Sequence, residues 1–179
     1  MVRRGAMGTA LACALAAAAG CSKEEPAPPP ARGEVVVTDI KPEGEEVPFL
    51  RAFPGTPNGG IREETRAVIR DAKAWEEIWA RASLHLGPAP KPPAVDFAKE
   101  MPAIAALGEK PTGGWSVEIV GARKVGGRLW ILYAIHAPGP DEVAAQVVTR
   151  PWHAVVLPAS DLPVEWVRYE APKPPAKRK

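Results

Sequence analysis

Residues 108–119, Gly-Glu-Lys-Pro-Thr-Gly-Gly-Trp-Ser-Val-Glu-Ile, read as a rigid turn feeding a strand. Pro111 fixes its own φ and lacks a backbone donor, while Gly113 and Gly114 reach positive φ where other residues are strained. Trp115, Val117 and Ile119 then alternate with Ser116 and Glu118, the period of a strand with one buried face. Lys110-Pro111-Thr112-Gly113-Gly114-Trp115 presents a hydroxyl and bare amides beside a large indole, which suits gripping another chain better than it suits chemistry. A purely structural turn with Trp115 buried beneath it is the competing reading, at even weight.

The same punctuation recurs along the chain. Residues 54–60 and 137–141 are Gly/Pro turns, Gly126-Gly127 is a two-residue hairpin turn, and residues 87–93 form a Pro-rich internal loop. Between them, strands are predicted over 61–69, 101–107, 115–124, 128–136, 153–157 and 164–169, and 47–53 reads as a first strand or an apolar flap. The 61–69 strand carries enough charge to be an edge, and 128–136 is apolar on both faces and therefore central. One helix is predicted over 72–82, capped by Asp71, with Trp75, Ile78, Trp79 and Ala82 on one face. The fold class is mainly β (α+β): an antiparallel sandwich or half-open barrel of about seven strands, with one amphipathic helix packed on it.

The ends of the chain read differently. Residues 1–20 have a basic start (Arg3, Arg4) and an apolar run too short for a membrane span, as in a secretory signal. The run into Cys21 resembles a bacterial lipobox, which implies lipid attachment at Cys21 and, with Ser22 following, an outer-membrane destination in the cell envelope. Cleavage at an Ala-x-Ala site, leaving Cys21 as a plain thiol, is the alternative. Residues 21–46 are a Pro-rich tether, 47–171 the β domain and 172–179 a basic Pro-rich tail.

Composition then excludes several classes. Of 23 basic residues, Arg3 and Arg4 leave with the signal, so the mature chain is balanced at 21 against 21 acids and does not read as a nucleic-acid binder. With Cys13 removed and Cys21 lipidated, no cysteine remains for a disulfide or thiolate site. His85, His136 and His153 show no metal-ligand spacing, and neither metal nor cofactor is expected. His136 and His153 could meet across neighbouring strands near Asp141, but Ser116 and Ser160 lack a nucleophile-elbow motif. No catalytic residue is assigned.

Several motifs together resemble one family. Val95-Asp96-Phe97-Ala98-Lys99-Glu100-Met101, the 108–119 stretch, Pro138-Gly139-Pro140 and the run 151–158 (Pro-Trp-His-Ala-Val-Val-Leu-Pro) are similar to the C-terminal domain of the protease complex subunit PrcB family. Trp115 stands where that family commonly has Tyr. The resemblance covers roughly residues 60–169 and implies a surface lipoprotein, not itself an enzyme, associated with an exported protease. A second likeness is to the chagasin-type protease inhibitors, whose loops Lys110 to Trp115 and Arg150-Pro151-Trp152 resemble in type and order, with Lys110 for Asn and Gly113 for Thr. The loop chemistry and this second likeness make Lys110, Pro111, Thr112, Gly113, Gly114, Trp115, Arg150, Pro151 and Trp152 the candidate protein-binding residues; the competing reading of Arg150-Pro151-Trp152 is an edge-strand break with Trp152 in the core. The bland alternative is a structural envelope lipoprotein with no protease partner.

Overall fold

The computed structural model describes residues 36–37, 44–84, 90–139 and 142–170. Every described residue belongs to one compact unit, within Gly33–Lys179. The proposed signal, Cys21, the tether up to residue 35 and the 172–179 tail lie outside the described residues.

Among those residues are nine strands and one helix: β1 (Val36–Val37), β2 (Glu45–Glu46), β3 (Arg51–Thr56), β4 (Glu64–Val68), α1 (Ala72–Ala82), β5 (Glu100–Leu107), β6 (Ser116–Val125), β7 (Arg128–His136), β8 (Trp152–Pro158) and β9 (Val164–Tyr169). They form a five-stranded sheet, β1-β9-β7-β6-β2, and a four-stranded sheet, β3-β8-β5-β4. The sandwich expected from the sequence is present, with no closed barrel. Its seven longer strands match the expected number, and β1 and β2 add two residues each. One feature departs from a purely antiparallel layout: β9 pairs in parallel with both β7 and β1.

Two cores explain the layering. Met101, Ala103, Ala105 and Leu107 of β5 face the five-stranded sheet, where they meet Val117, Ile119, Leu129, Ile131 and Tyr133. Ile104 and Ala106 face the other way, against Trp75 and Trp152, with Ile78 and Trp79 packed alongside. Strand β5 is thus covered on both faces, which is why its sequence is a continuous apolar run. Helix α1 supplies the outer cover. Asp71 caps it by accepting the Ala74 N–H at 2.8 Å. An eleven-residue helix is marginal alone and is held by this packing.

Strand β7 lies at the centre of its sheet, as its two apolar faces require. The Gly126-Gly127 turn joins it to β6 with φ of 54° and 75°, the conformation of a tight hairpin. Strand β4 is an edge, as its charges indicated. The expectation that fails is at the first strand. It begins at Arg51, not Val47, and runs through Pro54 and Gly55, which read as pure turn. As β3 is an edge strand with a register irregularity between Phe53 and Thr56, Pro54 sits where a missing ladder donor is tolerated.

Candidate functional site

The two candidate loops lie side by side at one end of the sandwich. Lys110 and Thr149 exchange backbone hydrogen bonds of 2.8 and 3.0 Å, and the Gly113 N–H donates to the Ala145 carbonyl at 2.8 Å. The Thr149 hydroxyl donates to the Thr112 carbonyl at 2.8 Å. Arg150 reaches one oxygen of Glu109 through Nε (3.1 Å) and Nη2 (2.8 Å). The 110–115 turn is therefore fastened along its length to the segment that ends in Arg150.

A shallow cleft of about 350 Å³ opens between them, lined by the end of β3 (Gly55, Thr56, Pro57), the start of β6 (Gly114 to Val117), Pro151 and Trp152. Trp115 is half-buried against the inter-sheet core and lines this cleft. The Lys110 ammonium stands 5.1 Å from the centre of its ring, a cation–π contact. Pro111 and Gly114 are exposed, and Thr112 and Gly113 are partly so. Gly114 has a φ of 82°, whereas Gly113, expected to share that freedom, does not adopt positive φ.

The second loop is less available than its residues indicate. Trp152 is only 4% exposed, and its indole packs edge-on to Trp79 at 5.7 Å under α1. It reaches the cleft from the core side and is not a surface anchor. Pro151 is buried, and Arg150 is engaged with Glu109. The reason is register: Trp152 falls on the same face of β8 as Ala154, the face that the helix covers.

The sequence reading missed the segment just before Arg150. Val143 is fully exposed, and Val147 and Val148 are 54% and 52% exposed. Three exposed valines lie in a segment bonded directly to the 110–113 turn. The available signal was apolar residues in a stretch with neither helical nor strand period.

The histidines do not assemble. His153 lies on β8 between the sheets, and His136 ends β7 in the other sheet, so they are not strand neighbours. Ser116 and His136 face each other across the β6–β7 ladder, both exposed, with no hydrogen bond between their side chains. His85 and Asp141 lie outside the described residues. His153, 8% exposed, accepts the Ile119 N–H at Nδ1 (3.0 Å), bridging the two sheets. Only the neutral ring can do this, and burial pushes its pKa below the usual histidine value, partly opposed by the Glu118 carboxylate.

That shift predicts a pH dependence. With the folded pKa below the unfolded value of about 6.5, the stabilisation is complete above that pH. It declines on acidification, as the unfolded chain binds the proton first, and is lost as pH falls through the folded value. Melting temperatures from pH 8 to pH 5 are expected to fall more steeply for wild type than for His153→Gln. Parallel curves would remove His153 as the cause.

With this geometry in view, the comparison with protein families is specific. The family model described as PrcB C-terminal matches residues 103–158. This stretch is similar to the PrcB C-terminal family. The match runs from β5 through β8 and so contains the hairpin, the candidate turn, the valine segment and the buried Trp152. No curated protein and no solved structure matches the chain. The chagasin-type likeness therefore rests on the loop residues alone, two of which, Pro151 and Trp152, are buried.

Proposed function

We propose that this chain is a lipid-anchored, non-catalytic subunit of an envelope protease complex, which binds its partner through the end of the sandwich bearing residues 110–115 and 143–148. The observation that carries the reading is the set of exposed valines. Val143, Val147 and Val148 are each exposed on a segment fixed to the candidate turn, inside the stretch similar to the PrcB C-terminal family. Exposed apolar side chains cost solubility and are commonly kept where another protein covers them. Trp115 and Lys110 beside them supply an aromatic and a cationic contact of the kind that dominates interface energy.

The lipobox-like run into Cys21 supports attachment to the bacterial envelope, with the outer membrane as destination, and the Pro-rich tether gives reach. Stabilising an exported protease and regulating it are both served by such a contact.

The test is capture in cells. Wild-type chain, cross-linked and purified, is expected to bring down an exported protease, and Val143→Ser/Val147→Ser/Val148→Ser to reduce the yield at least about tenfold with unchanged melting temperature. These side chains are solvent-facing, so their loss leaves the fold intact. Equal capture by the variant would overturn the assignment of this face, and capture of no protease by wild type would overturn the function.

A further inference from the structure

The start of β6 is an open strand edge, and its directionality can be read from the register. The Ile119 N–H points away from β7, because it donates to His153. In an antiparallel ladder alternate residues direct both backbone groups to the same side. Val117 therefore turns its N–H and C=O away from β7, and Trp115 continues the alternation. Past the irregularity between Ile119 and Gly121 the phase shifts, so that the Ala122 carbonyl takes the Val47 N–H. Strand β2 covers this edge only at Arg123 and Lys124. Neither Trp115 nor Val117 has a backbone partner outside the ladder among the described residues. Both residues line the cleft between β6 and the end of β3, Val117 being 5% exposed.

The charge at the mouth selects the occupant. Glu109 is neutralised by Arg150, and Glu118, one residue from Val117, belongs to the opposite face of β6. Lys110 forms no ion pair among the described residues and holds its ammonium over Trp115. The mouth therefore carries the Lys110 ammonium beside the outward backbone groups of Trp115 and Val117 and an apolar cleft. The 172–179 tail is a poor fit: it repeats the positive charge of Lys110, and Pro172, Pro174 and Pro175 cannot donate to a ladder.

We infer that the edge at Trp115 and Val117 receives a short, extended, proline-free segment of the protein partner. That segment adds a strand to β6, places one side chain in the cleft and sets a carboxylate against Lys110. This rests on the protein-binding reading above and specifies what is bound.

Amide hydrogen exchange on the full chain in detergent, read residue by residue, tests it. The Val117 amide is expected to exchange at least about tenfold faster than that of Glu118, which faces β7. Adding the acetylated peptide Thr-Val-Thr-Val-Glu in the millimolar range should slow Val117 at least about threefold. The same peptide N-methylated at alternate amides should not, and a version ending in Lys should act more weakly. Lys110→Gln should abolish the difference between the Glu and Lys peptides. Equal protection by the N-methylated peptide, or none by any peptide, would overturn the proposal. So would a Val117 amide already slow in the free chain: release on deleting residues 171–179 would identify the tail as occupant, and release on dilution a second copy. Protease capture that survives these failures would leave the proposed function standing with a different contact. Strand addition without any captured protease would do the reverse.

Discussion

Trp152→Ala is expected to lower the unfolding free energy by about 3–5 kcal/mol, a large part of what holds a domain of this size together. The indole is the point where β8 meets the helix. It packs edge-on to Trp79, which in turn contacts Trp75 at 5.2 Å and Phe53 at 5.3 Å. Removing it leaves a cavity beneath a helix that has little stability of its own. Its backbone surroundings are cut to fit: a Cβ on Gly59 would come within 2.3 Å of the indole Cδ1. The indole Nε1 is buried with no hydrogen-bond partner among the described residues, so its polarity adds nothing to the packing. Trp152→Phe, which keeps an aromatic and removes that N–H, is expected to recover much of the loss. Trp115→Ala should cost markedly less, because that ring is half-solvated. Urea unfolding of the three variants checks the order. If Trp152→Ala proves as mild as Trp115→Ala, the two indoles are equivalent and the core assignment of Trp152 is wrong.

This contrast marks where the sequence could be read and where it could not. Helix α1 was legible to the residue, because Asp71 caps it and four apolar side chains recur at helical spacing opposite charged ones. The hairpin at Gly126-Gly127 and the central place of β7 followed from turn chemistry and from apolar residues on both faces. Those signals are local. The facing of Trp152 is not: residues 152–157 are almost uniformly apolar, so alternation cannot say which side of β8 meets the helix and which the other sheet. The parallel pairing of β9 with β7 and β1 depends on partners distant in sequence. Pro54 and Gly55 looked like a turn because their tolerance in a strand depends on β3 being an edge. In the candidate site, the 110–115 turn announced itself through Pro and Gly. Its apolar neighbours at Val143, Val147 and Val148 showed no period.

Gly108→Ala should strike fold and candidate site together. Gly108 closes β5 with a φ of 68°, and a Cβ there would lie 2.6 Å from the Arg62 carbonyl oxygen and 2.8 Å from the Glu64 nitrogen. Both neighbours are backbone, fixed by the first pair of the β4–β5 ladder (Glu64 with Leu107) and by the Glu109 N–H bond to Arg62. They cannot swing aside as a side chain would. Left-handed strain together with this displacement is expected to cost about 2–4 kcal/mol. The shift would pass directly into Glu109 and Lys110, and through them into the turn. Gly113→Ala makes the opposite test. Its φ is not positive, and the nearest atom to an added Cβ is the Ala145 Cβ at 3.5 Å, an ordinary contact. Stability should change by no more than about 0.5 kcal/mol. The consequences for binding then separate architecture from recognition. If Gly108→Ala loses both stability and the captured partner while Gly113→Ala retains both, the Pro-Thr-Gly-Gly run acts by placing Lys110 and Trp115. If Gly113→Ala keeps its melting temperature and still loses the partner, the bare backbone at Gly113 is itself a contact, because the added methyl group changes nothing else.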